Sequence, residues 1–540
     1  MSASPSVRSA WTPRGYRERV DHRDLALLAL DLGTSGVKAA LIGLDGAELA
    51  SGSASVPTRT LPGGGAEQDP RDWERAAADA VRSVRRSRPE TGVLTVALTG
   101  QMQDLVLLEA SGHAIGPAVL YSDTRAGERA QRLRERLPRW EQITGNAQDA
   151  TSTAAQWLRV REEHPEDARR AARLVFGPAG YLGARFGLEA HTDATTASTT
   201  GLLDLACGTW SAEVIGAIGL DPGLLPTIGD GAIGELGAVG QELLDLPAQT
   251  PVVLAPGDAG ATTAGTVGLG AGAAYAYLGT SGWIAQVAAA DAQDVAAVGP
   301  GAATDGEVAA ADAPLAVADG SGAAAHAENE RSVAHRLALP GGARLRIAAV
   351  LAAGDAAAWA RAAFLAGDPP ATADALLEER ERERGRGPTG LLALPSVRGE
   401  RFPVRDDSLR AAVIGMDADT CGIDVYRAVL EGVAFGLRHG LDPGGSAPLA
   451  VVGGGAASAP WRRILADVTG RSVLTLPGGE APLIGAAAFA ADALGIGHEI
   501  LPLVARRGTR ETAPDPSAVA AYQDLAPRHR ALYDLLAGAV

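Results

Sequence analysis

The sequence predicts an α/β protein built from two large domains. Three observations carry that reading. The chain has 540 residues, more than a single hydrophobic core commonly organises. Strand-type and helix-type apolar patterns alternate along its length. A β-run, a Gly-Thr-Ser-Gly turn and a second β-run occur twice, once near the start of each half.

The elements follow in chain order. Residues 1–23 carry several arginines without an apolar core segment, so they read as a flexible extension rather than a secretory signal. Leu25 to Ala50 is two apolar β-runs around a tight turn, with a second turn at Asp45-Gly46. Helical spacing fits Trp73 to Arg88, Ala126 to Arg136 and Thr151 to Glu163. Two more strands end at Gly100 and just before Asp258. The pattern restarts after Gly270, which places the domain boundary there: 24–270 and 271–500, with 501–540 as a helical tail. The segment from Ala288 to Glu328 is rich in Ala, Gly and Asp and weakly patterned, fitting irregular loops or faint strands. Ala371 to Arg386 reads as a charge-dense helix with a solvated face. Helices are expected over Ile423 to His439, Trp461 to Thr469 and Ser517 to Leu536.

Composition narrows the function classes. The net charge of −16 and the absence of a long basic run argue against a nucleic-acid partner. Cys207 and Cys421 are the only cysteines, which excludes a disulfide framework and fits a reducing, cytoplasmic setting. No apolar run reaches membrane-spanning length.

Four motifs could carry chemistry. In Asp31-Leu32-Gly33-Thr34-Ser35-Gly36-Val37-Lys38, a small-residue turn offers amides and hydroxyls to an anion. Asp31, at a strand end, could hold Mg²⁺ through water. Lys38 is the only lysine in the chain, every other fixed cation being arginine. A compact ammonium suits phosphate in a narrow turn better than a planar guanidinium. Asp258 follows a strand and precedes small residues, where a carboxylate could accept a proton from a substrate hydroxyl or simply cap a helix. Gly279-Thr280-Ser281 is the second anion cradle. Gly453-Gly454-Gly455, with Ser458 beyond, lets a flat ligand approach the backbone.

In this order the motifs resemble the FGGY family of carbohydrate kinases, in its xylulokinase-like branch. Further support comes from AEQDPRDWERA, LTGQM, LYSDTR, TGN, TDATTASTTGLLDL, LPSVRGERFP and RAVLEGVAFGLR, so the likeness spans Leu25 to Gly497. The resemblance implies two actin-like, ribonuclease-H-like domains with an interdomain cleft, ATP and Mg²⁺ as cofactors, and a small sugar or polyol as acceptor. It casts Asp258 as catalytic base, with Asp31 and Asp258 near Mg²⁺. Gly33, Thr34, Ser35, Lys38, Gly279, Thr280, Ser281, Gly453, Gly454, Gly455 and Ser458 become nucleotide contacts. Gln101, Met102, Gln103, Asp104 and Asp258 would meet the sugar, and a homodimer is implied. Two segments depart from the xylulokinase pattern: Gln103 and Asp104 stand for its His-Gly, and Ala259 for its Asn. Those changes leave xylulose open against a gluconokinase-like or other polyol acceptor. Asp104 either adds an acceptor for a polyol hydroxyl or faces solvent. An inactive nucleotide-binding sensor is the rival of a different class.

Overall fold

The computed structural model describes residues 25–288, 334–406, 408–442 and 444–537. The proposed extension at 1–23 and the Ala/Gly/Asp-rich segment beyond Ala288 lie outside the described residues.

The first sheet contains β1 (Leu25–Leu32), β2 (Gly36–Gly43), β3 (Glu48–Ser55), β4 (Gly92–Gly100), β5 (Gly231–Glu235) and β6 (Pro251–Leu254), in the order β5-β6-β4-β1-β2-β3. The pairs β1/β2 and β2/β3 are antiparallel, whereas β4 and β6 join in parallel. The second sheet contains β7 (Ala274–Leu278), β8 (Gly282–Ala288), β9 (His335–Ala338), β10 (Arg344–Val350), β11 (Leu449–Val452), β12 (Val473–Thr475) and β13 (Arg510–Thr512), in the order β9-β10-β8-β7-β11-β12-β13. Three antiparallel strands, β10-β8-β7, again run into two parallel ones, β11 and β12. The same five-strand order therefore occurs twice. This duplication is the actin-like, ribonuclease-H-like arrangement.

Strand alternation decides what each face holds. Along β1, Ala26, Leu28, Leu30 and Leu32 join a core with Trp73, Ala77, Val81 and Val84 of α1 (Pro70–Ser87). Asp69 caps α1 by accepting from the Arg71 amide at 2.9 Å, and Pro70 fits the first turn, where no amide partner is needed. On the other face, Leu27 and Ala29 pack with Leu483, Ile484 and Ala487 of a helix from the far half of the chain. Asp31 continues that second face.

Two central helices are exchanged between the halves. α2 (Asp258–Val267) follows the first sheet, yet its Ala259 and Val267 pack against the cluster formed by Tyr275, Ala285 and Val287 of the second. The helix Ala481–Ala493 follows the second sheet but covers the first. Where they cross, a Cβ on Gly265 would collide with the Ala481 carbonyl, and one on Gly485 with the Ala261 carbonyl. Glycine is required there because backbone touches backbone.

The expectation of a solvated charged helix fails in part. α3 (Gly354–Phe364) and α4 (Pro370–Arg384) cover the outer face of the second sheet with α5 (Gly422–His439). Arg380 of α4 is buried and pairs with Asp424 at 2.6 Å. Glu381 pairs with the fully buried Arg427 at 2.9 Å, and Arg427 also meets Glu431 at 3.0 Å. A buried charge must be paired, so sequence periodicity alone could not show which charges point inward. The expected helix of the C-terminal tail is present, and residues after 501 pack on the second half of the chain. They supply β13 and α8, which follows α6 (Ala459–Thr469) and α7 (Ala481–Ala493) and runs Pro516–Leu536, burying Ala518, Tyr522 and Tyr533. Among the described residues, no helix is long and apolar enough to cross a membrane. Cys207 and Cys421 are unpaired and exposed.

Candidate active site

Asp258 and Lys38 both act on the Asp31 carboxyl beside the first turn, and the triple glycine lies against Leu278 at the second turn. β1/β2 register sets Asp31 directly opposite Lys38, on the face toward α7. The Lys38 ammonium meets the Glu480 carboxylate just ahead of α7 at 2.8 Å, with 48% and 45% of the side chains exposed. The sole lysine is thus a bridge between the halves as well as a neighbour of the first turn. Asp31 is half-buried, and burial pushes its carboxyl up to about 7. The nearby Asp258 charge adds to that rise, Lys38 opposes it, and Glu480 adds a little more.

Asp258 is the first residue of α2 and not its cap; the cap position belongs to Gly257. Its side chain is exposed, and the carboxylate accepts from the Thr262 hydroxyl at 3.1 Å. The surrounding protein still holds it above the usual carboxylate range through desolvation, opposed by the Thr262 hydrogen bond and by Lys38. Asp193, fully enclosed, accepts from the Gly257 amide at 2.8 Å and from the Thr196 amide at 2.8 Å. It therefore fixes the peptide immediately before Asp258. Sequence reading quoted the segment around Asp193 but gave it no role. An Asp ahead of a Thr-rich turn was the signal.

The first turn is wired to the expected sugar motif. The Thr34 hydroxyl donates to Gln101 Oε1 at 2.7 Å. Gln101 Nε2 donates to Gln68 Oε1 at 2.9 Å, and Gln68 Nε2 donates to the Thr34 carbonyl at 2.7 Å. Trp73 Nε1 completes the set by donating to Gln68 Oε1 at 2.8 Å. Gln68, also missed, is the hub that holds both motifs in one geometry. Met102 packs so tightly on Gly257 that a Cβ there would lie 2.5 Å from its sulfur. Gln103 has φ of 74° and donates to the Thr151 carbonyl at 2.7 Å.

Asp104 corrects its expectation. It is 0% exposed, so it neither faces solvent nor lines the open cleft. Its Oδ1 accepts from the Tyr121 amide at 3.0 Å, while Oδ2 has no partner. Desolvation drives this carboxyl far above its ordinary range, opposed by the Tyr121 amide.

On the second sheet, the Thr280 carbonyl accepts from the Ala353 amide at 2.9 Å and the Asp355 amide at 3.1 Å, while Gly279 O accepts from Gly354 at 2.8 Å. The start of α3 thereby clamps the turn. Thr280 is exposed and Ser281 half-exposed, so both remain available to a ligand, as does Ser35 in the first turn. Gly453, at φ 93°, lies against Leu278 so closely that a Cβ would stand 2.6 Å from its carbonyl. Gly454 faces open space. Ser458 departs from its expected nucleotide contact. Its hydroxyl donates to Asp374 at 2.8 Å and accepts from the Trp461 amide at 3.3 Å, so it caps α6.

The duplicated sheet, with a Gly-Thr-Ser-Gly hairpin in each half, is the architecture of a two-domain sugar phosphotransferase. Family models for the FGGY family of carbohydrate kinases match twice: the N-terminal domain over residues 26–265 and the C-terminal domain over residues 323–494. The chain is 30% identical to a xylulose kinase from Streptomyces rubiginosus, covering 92% of this chain and 93% of that one. It is 29% identical to the xylulose kinase of Escherichia coli, covering 94% and 99%. A solved xylulose kinase from Brucella ovis aligns with a TM-score of 0.77 at 26% identity, over 94% of this chain and 99% of that one. A gluconate kinase from Lactobacillus acidophilus shares the fold, with a TM-score of 0.78 at 20% identity over 95% and 98%. The chain belongs to the FGGY family of carbohydrate kinases and acts as an ATP-dependent phosphotransferase on an alcohol group.

Proposed function

We propose that the protein phosphorylates a pentulose of the xylulose type, with Asp258 as the base and Mg²⁺ carried in with ATP. The carrying observation is the exposed Asp258 at the start of α2, beside the same sheet that carries Asp31: its charge helps raise the Asp31 carboxyl, and its own carboxyl is raised by desolvation. A base held in that range accepts a hydroxyl proton more readily than an ordinary carboxylate, and such assistance is worth ~10²–10⁴ in rate. The xylulose kinases that share most of this chain's length support the substrate class.

The residues fit the cofactors. Among the described residues, no group of three His, Cys, Asp or Glu side chains is arranged to hold a metal. Two carboxylates suit Mg²⁺, which keeps several waters and is usually completed by phosphate oxygens. Asp31 and Asp258 would hold it, Gly33 to Ser35 and Gly279 to Ser281 would face the phosphates, and Gly453 to Gly455 would lie against the nucleoside. Bound there, the cation would neutralise charge building on the phosphoryl group. Lys38 offers a further cation beside the first turn. Asp193 and Gln68 hold the base and the first turn in place. Closure of the cleft would keep water from competing with the sugar hydroxyl.

The test is a coupled kinase assay over pentuloses, sugar acids and polyols, with wild type beside Asp258→Ala. D-xylulose or a close relative should give the highest kcat/KM, and the variant should lose ~10²–10⁴-fold in kcat. Undiminished turnover by Asp258→Ala would remove the base assignment. A sugar acid heading the panel would replace the pentulose.

A further inference from the structure

The two hairpins align as Asp31-Leu32-Gly33-Thr34-Ser35-Gly36 and Tyr277-Leu278-Gly279-Thr280-Ser281-Gly282. Tyr277 therefore holds the place in the second hairpin that Asp31 holds in the first. Its cross-strand partner is Trp283, as Lys38 is the partner of Asp31. We propose that the Tyr277 hydroxyl is a further ligand for the nucleotide's phosphates, held in position by Trp283. The proposal rests on the ATP-dependent kinase reading above.

The placement comes from strand alternation. Tyr275 and Tyr277 share one face of β7, opposite Ala274, Ala276 and Leu278 in the outer core. That shared face packs with Ala259 of α2 and with Met102. Tyr275 lies beside Thr263 of α2 and Trp283, and its phenol feels the charge of Asp258. Tyr277 lies one pleat closer to the turn. It consequently stands on the Asp258 side of the sheet, between the base and the second cradle.

The ring is fixed and its hydroxyl is free. Tyr277 and Trp283 stack with centroids 3.9 Å apart and planes 15° from parallel. The phenol end abuts Gly279: a Cβ there would collide with Cε1, Cζ and Oη of Tyr277. The first cradle glycine therefore rests directly on the phenol. Tyr277 is half-buried, and among the described residues its hydroxyl has no hydrogen-bond partner. A tyrosine with its ring packed usually finds a partner for its O–H. A phosphate oxygen seated in the Gly279–Ser281 turn supplies that acceptor, and a neutral O–H is a donor that adds no charge to the turn.

The experiment compares wild type with Tyr277→Phe, which keeps the ring and the stack. Calorimetry measures affinity for a non-hydrolysable ATP analogue with Mg²⁺, and for adenosine as a ligand without phosphate. The variant should bind the analogue about tenfold more weakly, the typical loss for one hydrogen bond to a charged acceptor. Adenosine affinity and the KM for the sugar should not change. Equal analogue affinity in both proteins overturns the proposal, and so does a parallel loss for adenosine, which would mark a structural role. If wild type binds the analogue yet phosphorylates nothing on the panel, the kinase reading fails while the Tyr277 comparison still reads out. A wild type that does not bind the analogue overturns both.

Discussion

The first and second hairpins use one backbone device and line it with opposite chemistry. In β1/β2 the cross-strand pair beneath the turn is Asp31 and Lys38, both charged. In β7/β8 the corresponding pair is Tyr277 and Trp283, a stacked aromatic pair. The first turn encloses Gly33 to Gly36 between the paired Leu32 and Val37, and the second only Gly279 to Ser281 between Leu278 and Gly282, one residue fewer. Support differs as well. Side-chain amides from Gln101 and Gln68 hold the first turn, whereas backbone amides at the start of α3 hold the second. A duplicated fold supplies both turns. One pair of side chains then decides whether a turn can gather a cation and tune a carboxylate, or only shape and donate.

The comparison breaks most visibly at Gly279. Its substitution by alanine drives a methyl into the Tyr277 ring, which is itself stacked on Trp283. Overpacking of this kind costs ~1–3 kcal/mol, so the ATP KM of Gly279→Ala should rise by about 30-fold. The sugar KM should stay near that of wild type. Steady-state kinetics with each substrate varied in turn separates the two, and an unchanged ATP KM would mean that the ring and the turn move independently.

Local chemistry made the hairpins legible in the sequence. Period-two apolar runs, a small-residue turn and a strand-end Asp are all set by neighbours within a few positions, so Asp31, Asp258 and both turns fell where expected. Long-range register was not legible. Nothing local to Glu480 announces a partner at Lys38, 442 positions away. Gly265 and Gly485 look like ordinary small residues until two helices are seen to cross there. Asp104 and Ser458 were placed in the right segments with the wrong surroundings. Whether a polar side chain turns outward, caps a helix or is enclosed depends on packing from other elements. The buried pairs of α4 with Asp424 and Arg427 escaped for the same reason.

The charged hairpin should be the pH-sensitive one, and Lys38→Met sharpens that difference. Loss of the ammonium removes one donor beside the first turn, lowering kcat/KM about tenfold, as for one hydrogen bond to a charged group. It also removes the positive charge that opposes the rise of the Asp31 carboxyl, already near about 7. A cation needs that carboxylate ionised, so activity climbs as pH rises through the folded-state value, and the variant's climb should shift to higher pH. Stability moves the other way. The native carboxyl keeps its proton to higher pH than the unfolded chain does, so ligand-free protein loses stability from the ordinary aspartate value of 3.8 up to about 7. In the variant that loss should extend further upward. Because Lys38 and Glu480 are both half-exposed, their own bridge contributes less than ~1 kcal/mol. Rate–pH profiles and thermal melts across the acid-to-neutral range read both effects, and coincident profiles would show that Lys38 does not govern Asp31.

The smallest effect is expected at Gly33, the sequence counterpart of Gly279. A Cβ added there would meet only the Gly36 carbonyl at 3.4 Å, an ordinary van der Waals distance. Gly33 donates its amide to that same carbonyl at 3.0 Å, and it is not among the glycines with positive φ, so alanine can adopt its conformation without strain. The residue that corresponds to Tyr277 here is not aromatic. It is Asp31, whose side chain leaves toward α7. Gly33→Ala should therefore change the ATP KM by no more than about twofold, within the range of substitutions that leave packing and hydrogen bonding intact. The paired measurement matters more than either value alone. If both glycines prove equally intolerant, the phosphates must approach each turn along the Cβ direction, and the aromatic pair would no longer explain the sensitivity of the second. A large loss at Gly279 beside a small one at Gly33 favours the ring beneath the second turn as the source of the difference, since the Gly-Thr-Ser-Gly sequence and the strand order are shared.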